Sequence, residues 1–292
     1  MSRIAAIVVT YNRKELLKQC LEKLQNQSVS LDILVIDNAS TDGTEELFQN
    51  VDKNIVYYNT GSNLGGAGGF NYGMRKAYEL GYDLFWLMDD DTLPYENALE
   101  ELLKAKDELG NTGFLSSVAV WNNGELCNMN IQRTGINKKD IDYSRKYNSV
   151  IMATFVSFFV SREIVKEFGL PITDFVIWSD DLEYSRRISK KYPCYVVSTS
   201  KVLHKMGSNA KVGIETEEES RLWRYKLVYR NEVFVFRREG IKGWFYLVSR
   251  MLLHSLRIIL KGNNKKMQKV CIIWKSFFEG LRFNPVIEMI DK

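Results

Sequence analysis

The sequence contains little proline and cysteine, and each shortage excludes a class of protein. Only 4 prolines occur among 292 residues, with no low-complexity tract, which argues against a disordered chain. The 4 cysteines form no C-x-x-C pair, and none lies at metal-site spacing from a histidine. We therefore expect ordinary buried thiols in a reducing compartment. They are Cys20, Cys127, Cys194 and Cys271.

The sequence also lacks a long uninterrupted apolar run. Its most apolar stretch, 244–260, contains Arg250, His254 and Arg257, whereas a membrane-spanning helix needs about 20 apolar residues with few charges. The chain enters an apolar segment directly after Arg3, without a signal-peptide pattern. We predict neither a transmembrane segment nor a cleaved signal.

Charge is unevenly distributed, although the net charge is only +4. Residues 221–292 hold 16 Lys and Arg against 5 Asp and Glu, whereas residues 1–220 hold 24 against 31. An acidic body with a basic tail indicates a polyanionic partner for the tail, either a membrane or a nucleic acid.

Strand and helix signals alternate along the first 120 residues. Continuous apolar runs predict buried strands at 4–9, 31–36, 55–58 and 82–88. Helices are predicted after Asn12, near Thr41, over 68–80 and over 94–108, then at 180–191 and from about 215 onward. Further strands are expected within 150–160 and at 194–199. The pattern predicts an α/β fold, with a mostly parallel sheet, helices on both faces and ligands at the carboxyl ends of the strands.

Three adjacent carboxylates, Asp89, Asp90 and Asp91, follow the fourth strand. Their mutual repulsion is relieved only by a positive charge. Hard divalent cations such as Mg²⁺ and Mn²⁺ prefer oxygen ligands, and a neutral His204 could complete their shell. The alternatives are a solvated acidic turn and a structural histidine.

Polar residues also follow the first two strands. Thr10-Tyr11-Asn12-Arg13 and Asp37-Asn38 lack the glycine fingerprint of dinucleotide folds, which argues against NAD or FAD. Asp37 could accept hydrogen bonds from a base or ribose, whereas Asn12, Ser40 or Thr41 could simply cap helices.

A glycine-rich block enters the third helix and contains Asn63, Gly65, Gly66, Gly68 and Gly69. Glycines allow close backbone approach, so this block could place amides near a phosphate or sugar. The alternative is a tight turn with close helix packing.

A second acidic cluster contains Trp178, Asp180, Asp181 and Glu183. One of its carboxylates could take the proton from an acceptor hydroxyl as a general base. The alternative is an acidic helix N-terminus, which the helix dipole favours in any protein.

Taken together, these blocks resemble the inverting GT-A (Rossmann-like) glycosyltransferases of family 2 over about residues 1–210. The glycine block and the Trp178–Tyr184 segment, with His204 about two dozen residues later, resemble bacterial galactofuranosyltransferases. Rhamnosyltransferases of polysaccharide assembly are similar. Ser179 departs from the pattern, since Trp directly precedes the Asp pair in the family, and this loosens the acceptor assignment.

The resemblance implies a role for each block. Asp89, Asp91 and His204 would hold Mn²⁺ or Mg²⁺, and Asp181 would be the catalytic base. Trp178, Asp180 and Glu183 would orient acceptor or donor. Nucleotide-sugar binding would fall to Thr10, Tyr11, Asn12, Arg13, Asp37, Asn38, Asn63, Gly65, Gly66, Gly68, Gly69 and Asp90.

The expected organisation is a catalytic domain at 1–212 and a basic, aromatic helical region at 213–292. Within the domain, 1–110 would bind the nucleotide sugar, and 111–212 would supply the acceptor site and base. The resemblance implies transfer of galactofuranose from UDP-galactofuranose to a lipid-linked glycan of a cell-surface polysaccharide such as O-antigen. The alternatives are rhamnosyl transfer from dTDP-rhamnose and a nucleotidyltransferase or nucleotide-sugar-binding protein.

The tail carries Arg250, His254, Arg257 and Lys261 on one predicted helix face. This pattern is typical of an interfacial helix on anionic lipid, and the alternative is a helix packed on the catalytic domain. We expect a cytoplasmic enzyme, peripheral at the inner face of the cytoplasmic membrane, with a homo-oligomer left open. No zinc finger or RNP motif supports nucleic-acid binding, and the acidic body argues against it.

Overall fold

The computed structural model describes residues 2–49, 52–210 and 213–290. These residues form an α/β fold with a nine-stranded sheet, flanking helices and a helical C-terminal region. The strands are β1 Ile4–Thr10, β2 Asp32–Asp37, β3 Ile55–Asn59, β4 Leu84–Asp89, β5 Thr92–Pro94, β6 Leu115–Val120, β7 Tyr147–Ser149, β8 Phe158–Ser161 and β9 Tyr195–His204. The helices are α1 Lys14–Gln25, α2 Gly65–Glu79, α3 Ala98–Leu109, α4 Arg162–Phe168, α5 Asp180–Ser189, α6 Leu222–Phe236, α7 Gly240–Lys261 and α8 Lys266–Arg282.

The first part of the sheet is parallel, as the alternation of strands and helices predicts. Its strands lie in the order β3-β2-β1-β4, and every neighbouring pair in this run is parallel. Strand β1 is buried on both faces: Ile7 packs in the layer of α2, α4 and α5, whereas Val8 packs in the layer of α1 and α3. Its continuous apolar run is the sequence signature of that double burial.

Beyond β4 the sheet is mixed rather than mostly parallel. Strand β8 is antiparallel to both β4 and β6, and β5 and β7 are antiparallel to β9. Only β6 and β9 form a parallel pair in this half. The predicted α/β fold with helices on both faces is confirmed. The sheet is wholly parallel only in the half formed by β3, β2, β1 and β4.

Several predicted boundaries differ from the structure. Pro94 ends β5, and α3 begins at Ala98, so the proline does not lie in the first helical turn. The apolar run 150–160 forms only β8, and the segment near Thr41 continues into a short 3₁₀ helix, Thr44–Phe48. Cys271 is exposed, whereas the other three thiols are buried as expected.

The C-terminal helices α6, α7 and α8 share an apolar core that includes Tyr229, Met251 and Ile273. Ala67 of α2 and Phe175 belong to the same core. The helical region therefore packs directly against the part of the chain that holds the glycine block. The predicted boundary between the catalytic domain and the helical region falls at 212–213, and the region was predicted to end at 292. Residues 211, 212, 291 and 292 lie outside the described residues.

The predicted basic face of α7 does not point uniformly into solvent. Arg250 donates a 2.6 Å hydrogen bond to buried Glu232 of α6, and His254 Nδ1 lies 2.7 Å from the Tyr229 hydroxyl. Arg257 and Lys261 remain exposed. Half of the predicted lipid-binding stripe therefore serves packing on α6. Among the described residues, none of the helices has both the length and the apolarity required to cross a bilayer.

Candidate active site

The strand register collects the polar strand ends at one edge of the sheet. Thr10 lies opposite Asp37, and Val9 lies opposite Asp89, across the two ladders of β1. On the far side, β5 runs antiparallel to β9 and places Thr92 opposite His204. Residues more than a hundred positions apart in sequence thus meet at the carboxyl end of β4.

Asp89, Asp91 and His204 form a group of potential metal ligands. Each offers one ligand atom, and these atoms all lie within 4.8 Å of one another. Two carboxylates with an imidazole suit a divalent cation of the Mn²⁺ type. The three predicted ligands are brought together, and they fit a divalent-metal site.

His204 is held between two acceptors. Its Nε2 lies 3.0 Å from Asp91 Oδ1, and its Nδ1 lies 2.9 Å from the side-chain oxygen of buried Asn130. Burial lowers the pKa of His204, but the hydrogen bonds to Asp91 and Cys127 and the charges of Asp91 and Asp89 together outweigh it and raise this pKa to about 10. Because the Asn130 oxygen accepts a hydrogen bond from Nδ1–H, the neutral imidazole keeps its proton on Nδ1. The lone pair of Nε2 then points toward the carboxylates.

Arg13 supplies the positive charge that adjacent aspartates require. Its guanidinium lies 2.8 Å from Asp91 Oδ2 and 3.1 Å from Asp90 Oδ1. The Thr10 hydroxyl donates a 2.7 Å hydrogen bond to the other oxygen of Asp90. Burial raises the pKa of Asp90 to about 6, partly offset by Arg13, and burial together with Asp91 raises that of Asp89 to about 7. The cluster is electrostatically strained and suited to bind further positive charge.

The Asp37 carboxylate is hydrogen-bonded within the protein. It is buried, and its carboxylate accepts hydrogen bonds from the Tyr57 hydroxyl at 2.6 Å and from Ser40 N–H at 2.9 Å. Its predicted contact with a base or ribose stays a prediction.

Asn12 does not cap α1. It adopts a left-handed backbone, with φ of +53°, and its side chain accepts from Thr41 N–H at 2.7 Å. The Lys14 amide, in the first turn of α1, donates instead to Asp42. Tyr11 is exposed beside this turn. The ends of β1 and β2 are therefore tied to each other by hydrogen bonds.

Asn38 connects these strand ends to the glycine block. Its side-chain nitrogen donates to the carbonyl of Gly65 at 3.1 Å, whereas its buried Oδ1 has no hydrogen-bond partner among the described residues. Gly65 has a φ of +72°, and its N–H donates to the Asn63 side chain at 2.9 Å. The orphaned oxygen is an acceptor suited to a donor group on a ligand.

Two of the predicted glycines are tightly packed. A Cβ on Gly69 would lie 2.5 Å from Val9 Cγ1, and one on Gly68 would lie 2.6 Å from Leu64 Cβ. Both are buried, and their predicted contact with the nucleotide sugar stays a prediction. A Cβ on Gly66 would face open space, which keeps that position compatible with a ligand.

The second acidic cluster opens α5 and is electrostatically coupled to the first. Burial and the neighbouring Asp181 raise the pKa of Asp180 well above its usual value, and Asp89 adds to the shift. Burial raises the pKa of Asp181 to about 6, against the lowering effect of Arg133. Asp181 Oδ1 accepts the N–H of Leu182 at 2.7 Å. The two predicted acidic clusters thus lie in one electrostatic field.

The other two residues of the second cluster are engaged in packing. Glu183 is buried and forms a 2.9 Å ion pair with Arg187. Trp178 packs edge-on against Tyr225 of α6, with ring centroids 5.4 Å apart. Their expected roles in orienting sugar hydroxyls stay predictions.

The turn before α5 is held in an unusual backbone conformation. Val176, Trp178 and Ser179 all have positive φ, between 62° and 68°. Buried Asn231 of α6 donates from its side chain to the carbonyls of Phe175 and Trp178 at 3.1 and 3.0 Å. A helix of the C-terminal region therefore fixes the segment that delivers Asp181.

Three residues of this arrangement were not predicted from the sequence: Asn130, Arg133 and Asn231. No motif marks them, because each reaches the site across a long separation in sequence. The one available signal is the polar pair Asn231 and Glu232 directly before the apolar run 233–236.

The parallel half-sheet with acidic residues at its strand ends, a carboxylate–histidine group and a facing acidic helix define a glycosyltransferase of the GT-A fold. A comparison with protein families agrees, since the family described as "Glycosyl transferase family 2" matches residues 5–169, more than half of the chain. The chain belongs to glycosyl transferase family 2. This membership favours glycosyl transfer over the nucleotidyltransferase alternative.

Two relatives of the chain are named as glycosyltransferases. The chain is 26% identical over 287 residues to the galactofuranosyltransferase GlfT1 of Mycolicibacterium smegmatis. This alignment covers 87% of this chain and 93% of the relative. The chain is 31% identical over 166 residues to the GalNAc(5)-diNAcBac-PP-undecaprenol beta-1,3-glucosyltransferase of Campylobacter jejuni, covering 55% of this chain and 51% of the relative.

Solved structures share the fold at low sequence identity. A structure of GalNAc-T7 with UDP, GalNAc and Mn²⁺ has a TM-score of 0.65 at 13% identity, covering 97% of this chain and 56% of that chain. A structure of S. aureus TarS with UDP has a TM-score of 0.56 at 14% identity, covering 97% and 72%.

Proposed function

We propose that the protein is an inverting glycosyltransferase that transfers galactofuranose from UDP-galactofuranose to a lipid-linked glycan of a cell-surface polysaccharide such as O-antigen. The observation that carries the proposal is the placement of Asp180, the residue directly before Asp181, in the electrostatic field of Asp89. It supports a carboxylate base near the group that would hold the donor diphosphate. The extent of the GlfT1 match supports the galactofuranose donor.

Asp181 is the proposed base. Its Oδ1 is held by the Leu182 amide, which leaves Oδ2 to take the proton from an acceptor hydroxyl. The acceptor oxygen then attacks the anomeric carbon from the face opposite the diphosphate. The bond between that carbon and the diphosphate oxygen breaks, its electron pair leaves with the diphosphate, and the configuration inverts.

Asp89, Asp91 and His204 would hold the divalent cation, Mn²⁺ or Mg²⁺. When bound, the cation neutralises charge that accumulates on the departing diphosphate. Arg13 now bridges Asp90 and Asp91, and we assign it to the phosphates of the bound donor. Asp90, held by the Thr10 hydroxyl, is assigned to the ribose or sugar.

The donor side is assigned to 1–110 and the acceptor side to 111–212, with 213–292 as the helical region. Asn38 offers its orphaned oxygen to the donor, next to Gly65 and open Gly66. Complexes of TarS with UDP and with UDP-GlcNAc support a uridine nucleotide as carrier.

A lipid-linked acceptor would place the enzyme at a membrane. The printed name of the C. jejuni relative includes a PP-undecaprenol substrate, which supports an acceptor of this chemistry. We assign the protein to the inner face of the cytoplasmic membrane, as a peripheral enzyme.

The first test is a panel of donors with and without Mn²⁺, in which binding and hydrolysis are both measured. We expect metal-dependent preference for UDP-galactofuranose over UDP-galactopyranose, UDP-glucose and dTDP-rhamnose. Preference for dTDP-rhamnose would replace the donor assignment and keep the reaction type. Equal use of every donor, with or without metal, would contradict the proposal.

The second test replaces the base. Asp181→Asn should lower turnover by about 10²–10⁴-fold, because the amide cannot accept the proton, while UDP binding by calorimetry stays unchanged. Asp174→Asn is the matched control, since Asp174 is exposed and lies just before the turn. Near-normal turnover of Asp181→Asn would remove the residue from the role of base.

A further inference from the structure

The outward face of α7 is apolar along its whole length. Gly243, Leu247, Met251, Ser255 and Ile258 form the buried stripe. The opposite side exposes Ile241 by 89%, Phe245 by 76% and Leu260 by 69%, and the other exposed apolar residues of α7 are Trp244, Val248, Leu252, Leu253, Leu256 and Ile259. A continuous exposed apolar face of this kind marks an interaction surface.

Cations without partners border this face. Lys242, Arg257 and Lys261 lie on α7, and among the described residues none of them forms an ion pair or a side-chain hydrogen bond. The same holds for exposed Lys275 and Arg282 of α8, and Glu279 is the only acidic residue on either helix. Helix α7 and the exposed side of α8 therefore both carry net positive charge.

We propose that this face, defined as the outward residues of α7 between Ile241 and Leu260, docks onto an anionic lipid bilayer. At about 1.5 Å per residue, the 22 residues of α7 span about 33 Å, long enough to lie along the membrane surface. The apolar side chains enter the interfacial region, and the bordering cations meet lipid phosphates. A second copy of this chain fits less well, because its own cations would be brought against these.

This inference narrows the sequence-based prediction of an interfacial helix. Of the predicted basic stripe, Arg250 and His254 are engaged with α6, whereas Arg257 and Lys261 are exposed. Docking therefore uses the exposed apolar side chains together with the cations that remain exposed. Because lipid binding does not require donor turnover, the two proposals can fail independently.

The test is flotation of the full chain with vesicles of phosphatidylcholine, with and without phosphatidylglycerol. We expect flotation with the anionic vesicles that weakens at high salt, since salt screens the cation–phosphate attraction. No flotation with anionic vesicles at low salt overturns the proposal.

Two variants locate the contact. Leu256→Gln with Leu260→Gln should weaken vesicle partition by roughly tenfold or more, whereas the matched pair Leu80→Gln with Val286→Gln, exposed but outside α7 and α8, should not. Arg257→Gln with Lys261→Gln should remove the preference for phosphatidylglycerol. Circular dichroism and UDP binding verify that each variant is folded.

Two results would contradict the assignment of this face. Equal flotation of the leucine pair and the wild type would move the contact elsewhere. A wild-type dimer that the leucine pair converts to monomer, with no flotation of either, would assign the face to a second copy.

Discussion

The side-chain amide of Asn231 donates a 3.0 Å hydrogen bond to the carbonyl of Trp178, three residues before the proposed base. The same amide reaches the carbonyl of Phe175. Between and after these carbonyls, Val176, Trp178 and Ser179 hold positive φ, which costs of order 1–3 kcal/mol for each non-glycine residue. The geometry of the base therefore depends on a helix of the C-terminal region.

Asn231→Leu keeps a side chain branched at the same atom, although a larger one, and removes both hydrogen bonds as well as the acceptor for Arg230. We expect kcat to fall by roughly 10²-fold, because the turn relaxes and Asp181 shifts from the acceptor hydroxyl, with little change in the KM for donor. Asn71→Leu is the matched control, since Asn71 is also buried and donates to a backbone carbonyl, that of Pro171. If both variants lose stability and activity alike, Asn231 has only a structural role.

The pH dependence of turnover should report the acidic pair. Burial raises the pKa of Asp181 to about 6, and a base must be deprotonated to act. We therefore expect kcat to rise with pH through about 6 and then level off.

Arg133 offers a way to shift this profile, because its charge lowers the pKa of Asp181. Arg133→Gln should move the acidic limb to higher pH, and Arg133→Lys should leave it nearly in place. A limb that is insensitive to the charge at position 133 would mean that Asp181 does not control it.

Asn130 should tune metal affinity without being a ligand. Its oxygen accepts from His204 Nδ1, and loss of such a partner typically weakens metal binding by about 10–100-fold. Asn130→Ala should raise the Mn²⁺ concentration for half-maximal activity and be rescued by excess metal. Asn128→Ala is the control, since the Asn128 side chain donates to the Asn209 carbonyl instead. Unchanged metal activation would contradict the role.

The C-terminal helices should lose stability in mild acid. Burial, then the charges of Arg250 and Arg257, lower the pKa of His254 to about 3. Between about pH 3 and about pH 6.5 the unfolded chain binds a proton here that the folded chain does not, so stability falls as pH drops through this window. His254→Gln should flatten this part of the melting-temperature profile. An equally steep decline in the variant would assign it to other groups.

The strand ends were predictable because a doubly buried strand leaves an unbroken apolar run and its polar end is conspicuous. Asp89 and His204 could be named, and yet their approach depends on the β5–β9 pairing, which no local pattern encodes. The spacing of Arg250 and His254 correctly placed them on one face. Which way that face points depends on Glu232 and Tyr229 across the interface, and periodicity carries no information about a partner helix.

The glycine block shows the same division. Gly65 is required by its positive φ and Gly69 by its tight packing. The sequence shows a glycine in both cases and does not distinguish the two reasons. Only the neighbours, open space for Gly66 and Val9 for Gly69, separate a ligand contact from a packing contact.

The shared core of α6 with Phe175 has a consequence for how the enzyme can be divided. A truncation before Leu222 would remove Asn231 along with α7, the helix proposed to contact lipid. The shortened enzyme should therefore lose catalytic activity as well as the proposed membrane contact. In chimaeric enzymes made from two family members, the turn 175–179 and α6 should therefore be exchanged together, because Asn231 of α6 holds that turn.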